Sequence, residues 1–294
     1  MEQQRTEKRE MNRTDIRLIA LDLDGTLLNS MKLLSPANAA ALERAARAGV
    51  LIVPTTGRFY GGIPEFVRRL PFLRYAIAVN GAQVYDIQGD RTIAAAEIPL
   101  ERTLELMETL DEYPVAYDCF VQGKGWMERR LWEHAADYTD DWYCLQVLHD
   151  LRTPVDDLKA FLRKLGGDAQ KVQFFTKDQE LRLNLLKELP RRWPDIAVTT
   201  SVPTNVELNI LRANKGEALK QLTDYLGLSM EQVMAVGDGM NDLTMLRMAG
   251  VGVAMGNACP EAMAAADAVT ADCDHDGVAG GDTFGLHLGP GTCL

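Results

Sequence analysis

Leu21-Asp22-Leu23-Asp24-Gly25-Thr26-Leu27-Leu28 is the stretch on which the reading of this chain turns. An apolar run from Ile16 to Leu21, broken only by Arg17, leads into it and predicts a buried strand. Two carboxylates follow, two residues apart. On extended backbone such residues point to one side, so Asp22 and Asp24 are expected to leave the strand end together. Gly25 then permits a sharp turn. Like charges set side by side at a sheet end call for a cation or a shared proton.

Outward from this turn the chain alternates. Ser35 is a good N-cap and Pro36 fits a first helical position, so a helix is predicted from there to Ala48, ended by Gly49. A strand over Val50 to Pro54 runs into Thr55-Thr56-Gly57-Arg58. A helix over Ile63 to Leu70 and a strand over Tyr75 to Val79 follow, closed by Asn80-Gly81. This alternation predicts an α/β fold with a doubly wound parallel sheet, whose ligands sit beyond the carboxyl ends of the strands. Asp22, Asp24 and Thr56 all fall there.

Between about Gln83 and Pro203 the pattern becomes mixed. Hairpin signals at Gln88-Gly89-Asp90 and a turn at Gly123-Lys124-Gly125 alternate with helices predicted over Leu100 to Leu110 and from Thr153-Pro154 to Gly166-Gly167. Strands are predicted over Pro114 to Val121, Lys171 to Thr176 and Ile196 to Ser201. The segment 83–207 is therefore expected to be an inserted α+β domain. The core is expected over 15–82 and 208–294, after a disordered extension at 1–14 with Met11 as an alternative start. From Val206 the alternation resumes. Asn214-Lys215-Gly216 opens a helix with an apolar face at Ala218, Leu219, Leu222, Tyr225 and Leu226. A short strand over Gln232 to Val236 ends in Gly237-Asp238-Gly239-Met240-Asn241-Asp242, and helix, strand and helix follow.

Composition narrows the function classes. A formal charge of -11 over 294 residues opposes sequence-independent binding to nucleic acid. Five cysteines without a C-x-x-C pair predict free thiols in a reducing compartment. No apolar run approaches the length of a membrane span, so a soluble cytoplasmic protein is expected, of open oligomeric state (monomer or dimer).

The strand ends collect Asp22, Asp24, Thr56, Lys215, Asp238, Asn241 and Asp242. Four converging carboxylates would repel, and a hard cation such as Mg2+ with oxygen ligands resolves that. The Thr56 hydroxyl, the Gly57 N–H, the Lys215 ammonium and the Asn241 amide are donors, which beside a metal suit a phosphoryl group. One carboxylate can then attack phosphorus and another can move the proton of the leaving oxygen.

The motifs Asp22-Leu23-Asp24-Gly25-Thr26, Thr56-Gly57-Arg58, Asn80-Gly81-Ala82, Asn214-Lys215-Gly216, Gly237-Asp238-Gly239-Met240-Asn241-Asp242 and Val253-Ala254-Met255-Gly256-Asn257-Ala258 occur in one order. In this the chain resembles the haloacid dehalogenase (HAD) superfamily phosphatases of the Cof-type subfamily with a type IIB cap. The resemblance implies that Asp22 is nucleophile and magnesium ligand, and that Asp24 is the acid/base and binds the metal through its carbonyl. It implies that Asp238 is the third ligand and that Asp242 orients Lys215. Leu23 (through its N–H), Thr56, Gly57, Lys215 and Asn241 would hold the phosphate, and the cap would close over the site and select a small phosphorylated metabolite, foremost a sugar phosphate. A phosphosugar mutase or phosphotransferase, and a non-catalytic phosphometabolite-binding protein, are the rival readings. Arg58 reads equally as a structural residue or a substrate contact. Trp126, Trp132, Trp142 and Tyr143 read as core, the four histidines as surface or packing residues, and Arg129-Arg130 and Arg191-Arg192 as solvated faces. The Gly- and Pro-rich tail after Ala279 departs from the family's final helix.

Overall fold

The structure is a computed structural model that describes residues 15–200 and 202–280. The proposed extension at 1–14 and the tail from 281 lie outside the described residues. Two compact units are present. The first takes the described residues up to Gly57, Ile63–Ala94 and those from Asn214 on; the second takes Arg58–Gly62 and Ala95–Ala213. Apart from Arg58–Gly62, the second unit spans Ala95–Ala213, where the sequence reading expects 83–207. Strand pairing is the reason. Gln83–Asp86 pairs antiparallel with Tyr75–Ala78 of the first unit, and Asn205–Ile210 pairs with Ala169–Phe175 of the second.

In the first unit a five-stranded sheet runs Ala268–Val269, Val251–Ala254, Val233–Gly237, Leu18–Leu21, Leu51–Pro54, every neighbouring pair parallel. A single parallel bridge, Thr55 to Ile77, carries the order on to Tyr75–Ala78. All four residues of Leu18–Leu21 are buried, as a parallel strand covered on both faces requires. The chain leaves this central strand to one side through helix Pro36–Arg47 and returns on the other as Val233–Gly237. That places a topological switch point at Asp22.

Local signals set the helix ends. The Ser35 hydroxyl accepts the Asn38 N–H at 3.1 Å and Pro36 takes the first helical position. Asn214 caps Lys215–Leu226 by accepting the Glu217 N–H at 2.9 Å, and Gly227 ends that helix in the left-handed conformation. The helix predicted over Ile63 to Leu70 is only Glu65–Arg68, because Pro64 disfavours helical backbone at Ile63.

The second unit carries a six-stranded sheet in the order Ile196–Thr199, Asn205–Ile210, Ala169–Phe175, Ala116–Val121, Lys124–Glu128, Arg152–Val155. Its pairs are antiparallel except the last. One face is apolar: Tyr117, Cys119, Val172, Phe174, Val206 and Leu208 share a core with helix residues such as Leu106, Met107, Leu110, Leu158, Leu162 and Leu185. Burying each such aliphatic side chain contributes roughly 1.5–3 kcal/mol.

Several expectations change here. Thr153-Pro154 does not open a helix. It lies in an edge strand, where a missing N–H costs no ladder bond, and the helix begins at Leu158 behind an Asp157 cap. The tight turn is Gln122-Gly123, both at positive φ, and Lys124 already starts a strand. Helices Trp142–Leu151 and Gln179–Arg192, capped by Asp141 and Asp178, were unread. Trp126 and Trp132 pack on the core as expected, but Trp142 is 73% exposed. His134, His149 and His275 are at the surface, and His287 lies outside the described residues. Cys119, Cys144, Cys259 and Cys273 are free thiols; Cys293 is outside. Among the described residues no helix is long and apolar enough to cross a membrane.

Candidate active site

The first unit brings together residues that the sequence separates by about two hundred positions. Lys215, at the first turn of its helix, is fully buried and donates to the Asp22 Oδ1 and the Asp242 Oδ1, each at 2.6 Å. The other oxygen of Asp242 accepts the backbone N–H groups of Asp238 at 2.9 Å and Gly239 at 2.8 Å. Asp242 is thereby occupied on both oxygens. It holds Lys215 in place and pins the loop that carries Asp238.

Asp22, Asp238 and Asp242 have carboxylate oxygens within 4.8 Å of one another. Three acids face one ammonium. Burial pushes Asp22 up to about 8 against the pull of Lys215, with Asp242, Asp238 and Asp24 adding repulsion. Burial likewise raises Asp238 to about 6, opposed by its bond from Thr26. Burial alone would lower Lys215, but the two aspartates outweigh it and hold the ammonium charged. The surplus negative charge and the oxygen-only donor set fit a hard divalent cation. Asp242 already accepts from three donors, whereas Asp22 and Asp238 each accept from one side-chain donor and so have more oxygen left for it.

Asp238 is held by Thr26, whose hydroxyl donates to its Oδ1 at 2.7 Å. Gly25 makes room for it: at φ +86 a side chain there would be strained, and its Cβ would lie 2.5 Å from Asp238 Oδ2. Asn257 fastens the turn by donating to the Gly25 carbonyl at 2.8 Å. Thr26 and Asn257 were read only as parts of motifs. Their hydroxyl and amide would have signalled a role only if Asp238 were known to lie beside them.

Asp24 follows the strand end at Leu21 and stands near enough to Asp22 and Asp238 for its charge to repel both. Asp24 is half-buried and pairs with Lys32 at 2.9 Å. Lys32 was not singled out from sequence. It sits at φ 60 in the turn after the strand, a conformation the sequence pattern does not announce.

Thr56 and Gly57 lie at the end of the neighbouring strand. The Thr56 N–H donates to the Ile77 carbonyl and its own carbonyl accepts the Asn80 N–H, which ties this turn to Asn80. Asn241 donates through its side-chain amide to Asn80 Oδ1 at 3.0 Å. Thr56, Gly57, Asn80 and Asn241 thus form one polar cluster, with Leu23 fully buried at the preceding strand end. Val79 and Asn80 both have positive φ, 52 and 56. A β-branched residue there is strained, and Gly81 beyond it has no room for a side chain against the Asn214 carbonyl. This kink seats the start of the Lys215 helix. Arg58 is engaged within the second unit, donating to the Tyr143 hydroxyl at 2.6 Å and the Gly62 carbonyl at 3.1 Å.

Comparison with known proteins agrees with this geometry. The profile of the haloacid dehalogenase-like hydrolases matches residues 19–280. The chain is 32% identical over 266 residues to the 5-amino-6-(5-phospho-D-ribitylamino)uracil phosphatase YcsE of Bacillus subtilis, covering 90% of this chain and 94% of that protein. It is 32% identical over 281 residues to the pyridoxal phosphate phosphatase YbhA of Escherichia coli, covering 90% and 96%. A solved haloacid dehalogenase-like hydrolase from B. subtilis has a TM-score of 0.78 at 30% identity, covering 92% of this chain and 100% of that one.

Proposed function

The chain belongs to the haloacid dehalogenase-like hydrolases and is a phosphatase of that superfamily, and we propose that it hydrolyses small phosphorylated metabolites in a magnesium-dependent reaction through a phosphoryl group carried on Asp22. The observation that carries this reading is the buried Lys215 between Asp22 and Asp242, beside an Asp238 that its loop and Thr26 hold in place. A magnesium ion on the Asp22 and Asp238 carboxylates and the Asp24 carbonyl would supply positive charge opposite the phosphoryl oxygens.

The chain's own groups divide the remaining work. Lys215 fixes one Asp22 oxygen, which orients the other for attack on phosphorus. As the Asp22–phosphorus bond forms, the ester bond breaks, and Asp24 delivers a proton to the leaving oxygen. Asp24 then takes a proton from the water that attacks phosphorus and frees Asp22. Thr56, Gly57, Asn241, Lys215 and the N–H of Leu23 hold the phosphoryl oxygens by charge and hydrogen bonding, which is what phosphoryl transfer most needs from a protein. Phosphosugars are the first substrate class to test. Phosphorylated heterocycles of the kinds named for the two relatives come next.

The test is phosphate release from such a panel, with and without Mg2+, beside Asp22→Asn. Metal-dependent release that the variant abolishes supports the reading. Isomer formation without phosphate would replace it with a mutase, and folded protein inert toward the whole panel would overturn it.

A further inference from the structure

The turn after the acidic motif is built to hold one side chain. Lys32 has φ 60, a left-handed backbone that a long side chain rarely adopts and that persists only where its surroundings impose it. Hydrogen bonds impose it here. The Lys32 N–H donates to the Asn29 carbonyl at 2.8 Å, and the Asn29 N–H donates to the Leu33 carbonyl at 3.0 Å. The Asn29 side chain closes the same turn by accepting the N–H groups of Met31 at 3.0 Å and Leu33 at 2.9 Å. Met31 and Leu33 are 75% and 58% exposed, so apolar burial does not seat the turn.

Two ties fix this turn around Asp24. Ser30 donates through its N–H and its hydroxyl to Asp274 Oδ1, at 2.9 and 2.8 Å. Asn257 joins the segment that carries Asp274 to the other side of Asp24: it accepts the Cys273 N–H at 2.9 Å and donates to the Gly25 carbonyl at 2.8 Å. Asp24 thus lies between two anchors to one segment, and the Lys32 ammonium meets its Oδ1 at 2.9 Å. The two side chains are 37% and 34% exposed, and an ion pair so open to water adds little to stability. Stability therefore does not account for a left-handed lysine, an asparagine-closed turn and a serine anchor devoted to this contact.

We propose that Lys32 is a positioning residue for Asp24, fixing the direction of its carboxyl group toward the oxygen that leaves phosphorus. The inference rests on the phosphatase reading, in which Asp24 moves the proton, and deepens it. A carboxyl group on a turn has several staggered rotamers open to it. Proton transfer needs the one within hydrogen-bond reach of the departing oxygen. Lys32 selects it, as Lys215 does for Asp22. As the phosphorus–oxygen bond of the ester breaks, the Asp24 proton passes to the departing oxygen; as water attacks the phosphorylated Asp22, Asp24 takes a proton from it. Lys32 exchanges no proton itself.

The test is steady-state kinetics of the full chain with Mg2+ on two kinds of ester. One is the alkyl phosphate of the panel that it turns over fastest, whose leaving oxygen needs a proton. The other is p-nitrophenyl phosphate, whose leaving group departs as the anion. The measured quantity is the ratio of kcat/KM for the alkyl ester to that for the aryl ester, which a general loosening of the site does not move. Lys32→Met is expected to lower this ratio about 10- to 100-fold. Lys32→Gln serves if Lys32→Met does not fold, with the same expected direction. Asp24→Asn is the control and should lower the ratio at least as far. A ratio unchanged in the folded Lys32 variant but lowered by Asp24→Asn makes the contact a surface ion pair and overturns the inference alone. A ratio unchanged by Asp24→Asn removes Asp24 as the proton carrier, and wild-type protein inert toward both esters overturns the phosphatase reading; either result takes this inference with it.

Discussion

The two buried charge clusters of this molecule are built alike and balanced differently. In the first unit Asp22, Asp238 and Asp242 confront one lysine, and the carboxyl groups are pushed up by burial and by one another. In the second unit two acids meet two bases, Asp118 with Arg152 and Glu207 with Lys171. The contrast teaches what each can accept. An unbalanced cluster stores a demand for a cation. A balanced one meets its charges within itself. Burial makes the first demand strong, since an unmet charge away from water is costly.

The largest break of this contrast is to empty the first cluster of its one base. Lys215→Met should destabilise the protein by about 3–5 kcal/mol, because it leaves two buried carboxylates without their partner. Denaturant unfolding measures this, and a loss below about 1 kcal/mol would show that Asp22 and Asp242 find other partners.

The second prediction uses pH. Asp22 at about 8 and Asp238 at about 6 hold protons that their unfolded counterparts have lost. Folded-state values above the unfolded ones mean that metal-free stability is fullest near pH 4 and falls as pH rises toward about 8. Cation and proton compete, so Mg2+ affinity should rise by up to about tenfold per pH unit per proton displaced over that window. Calorimetry across the range would record proton release on binding. Affinity independent of pH would mean that Mg2+ does not meet these carboxylates.

The smallest effect tests the packing of the acidic loop. Thr26→Val keeps shape but removes the hydroxyl that donates to Asp238. It should cost about 1 kcal/mol of stability and weaken Mg2+ binding in proportion, through a looser Asp238. Unchanged binding in a protein of unchanged stability would remove Thr26 from the account.

Much of the first unit was legible because its signals are local. Ser35-Pro36, Asn214 and Gly227 announce helix ends within a few residues, and Asp22, Lys215 and Asp238 stand at strand ends or helix starts that such signals mark. The second unit was less legible. Pro154 reads as a helix opener until the edge position of its strand is known, and the caps Asp141 and Asp178 do not differ in type from the acidic surface around them.

By itself the sequence determined the α/β alternation, the acidic turn after Leu21 and the family to which the chain belongs. Each is written in residue types at short spacing, where turn, cap and strand propensities act. The tertiary structure alone decided that Lys215 bridges Asp22 and Asp242, that Thr26 holds Asp238, and that Asp24 turns to Lys32. It also decided that Arg152 crosses Gly125 to reach Asp118. These are matters of distance between remote strands, and distance follows from sheet order and register, which no local spacing encodes.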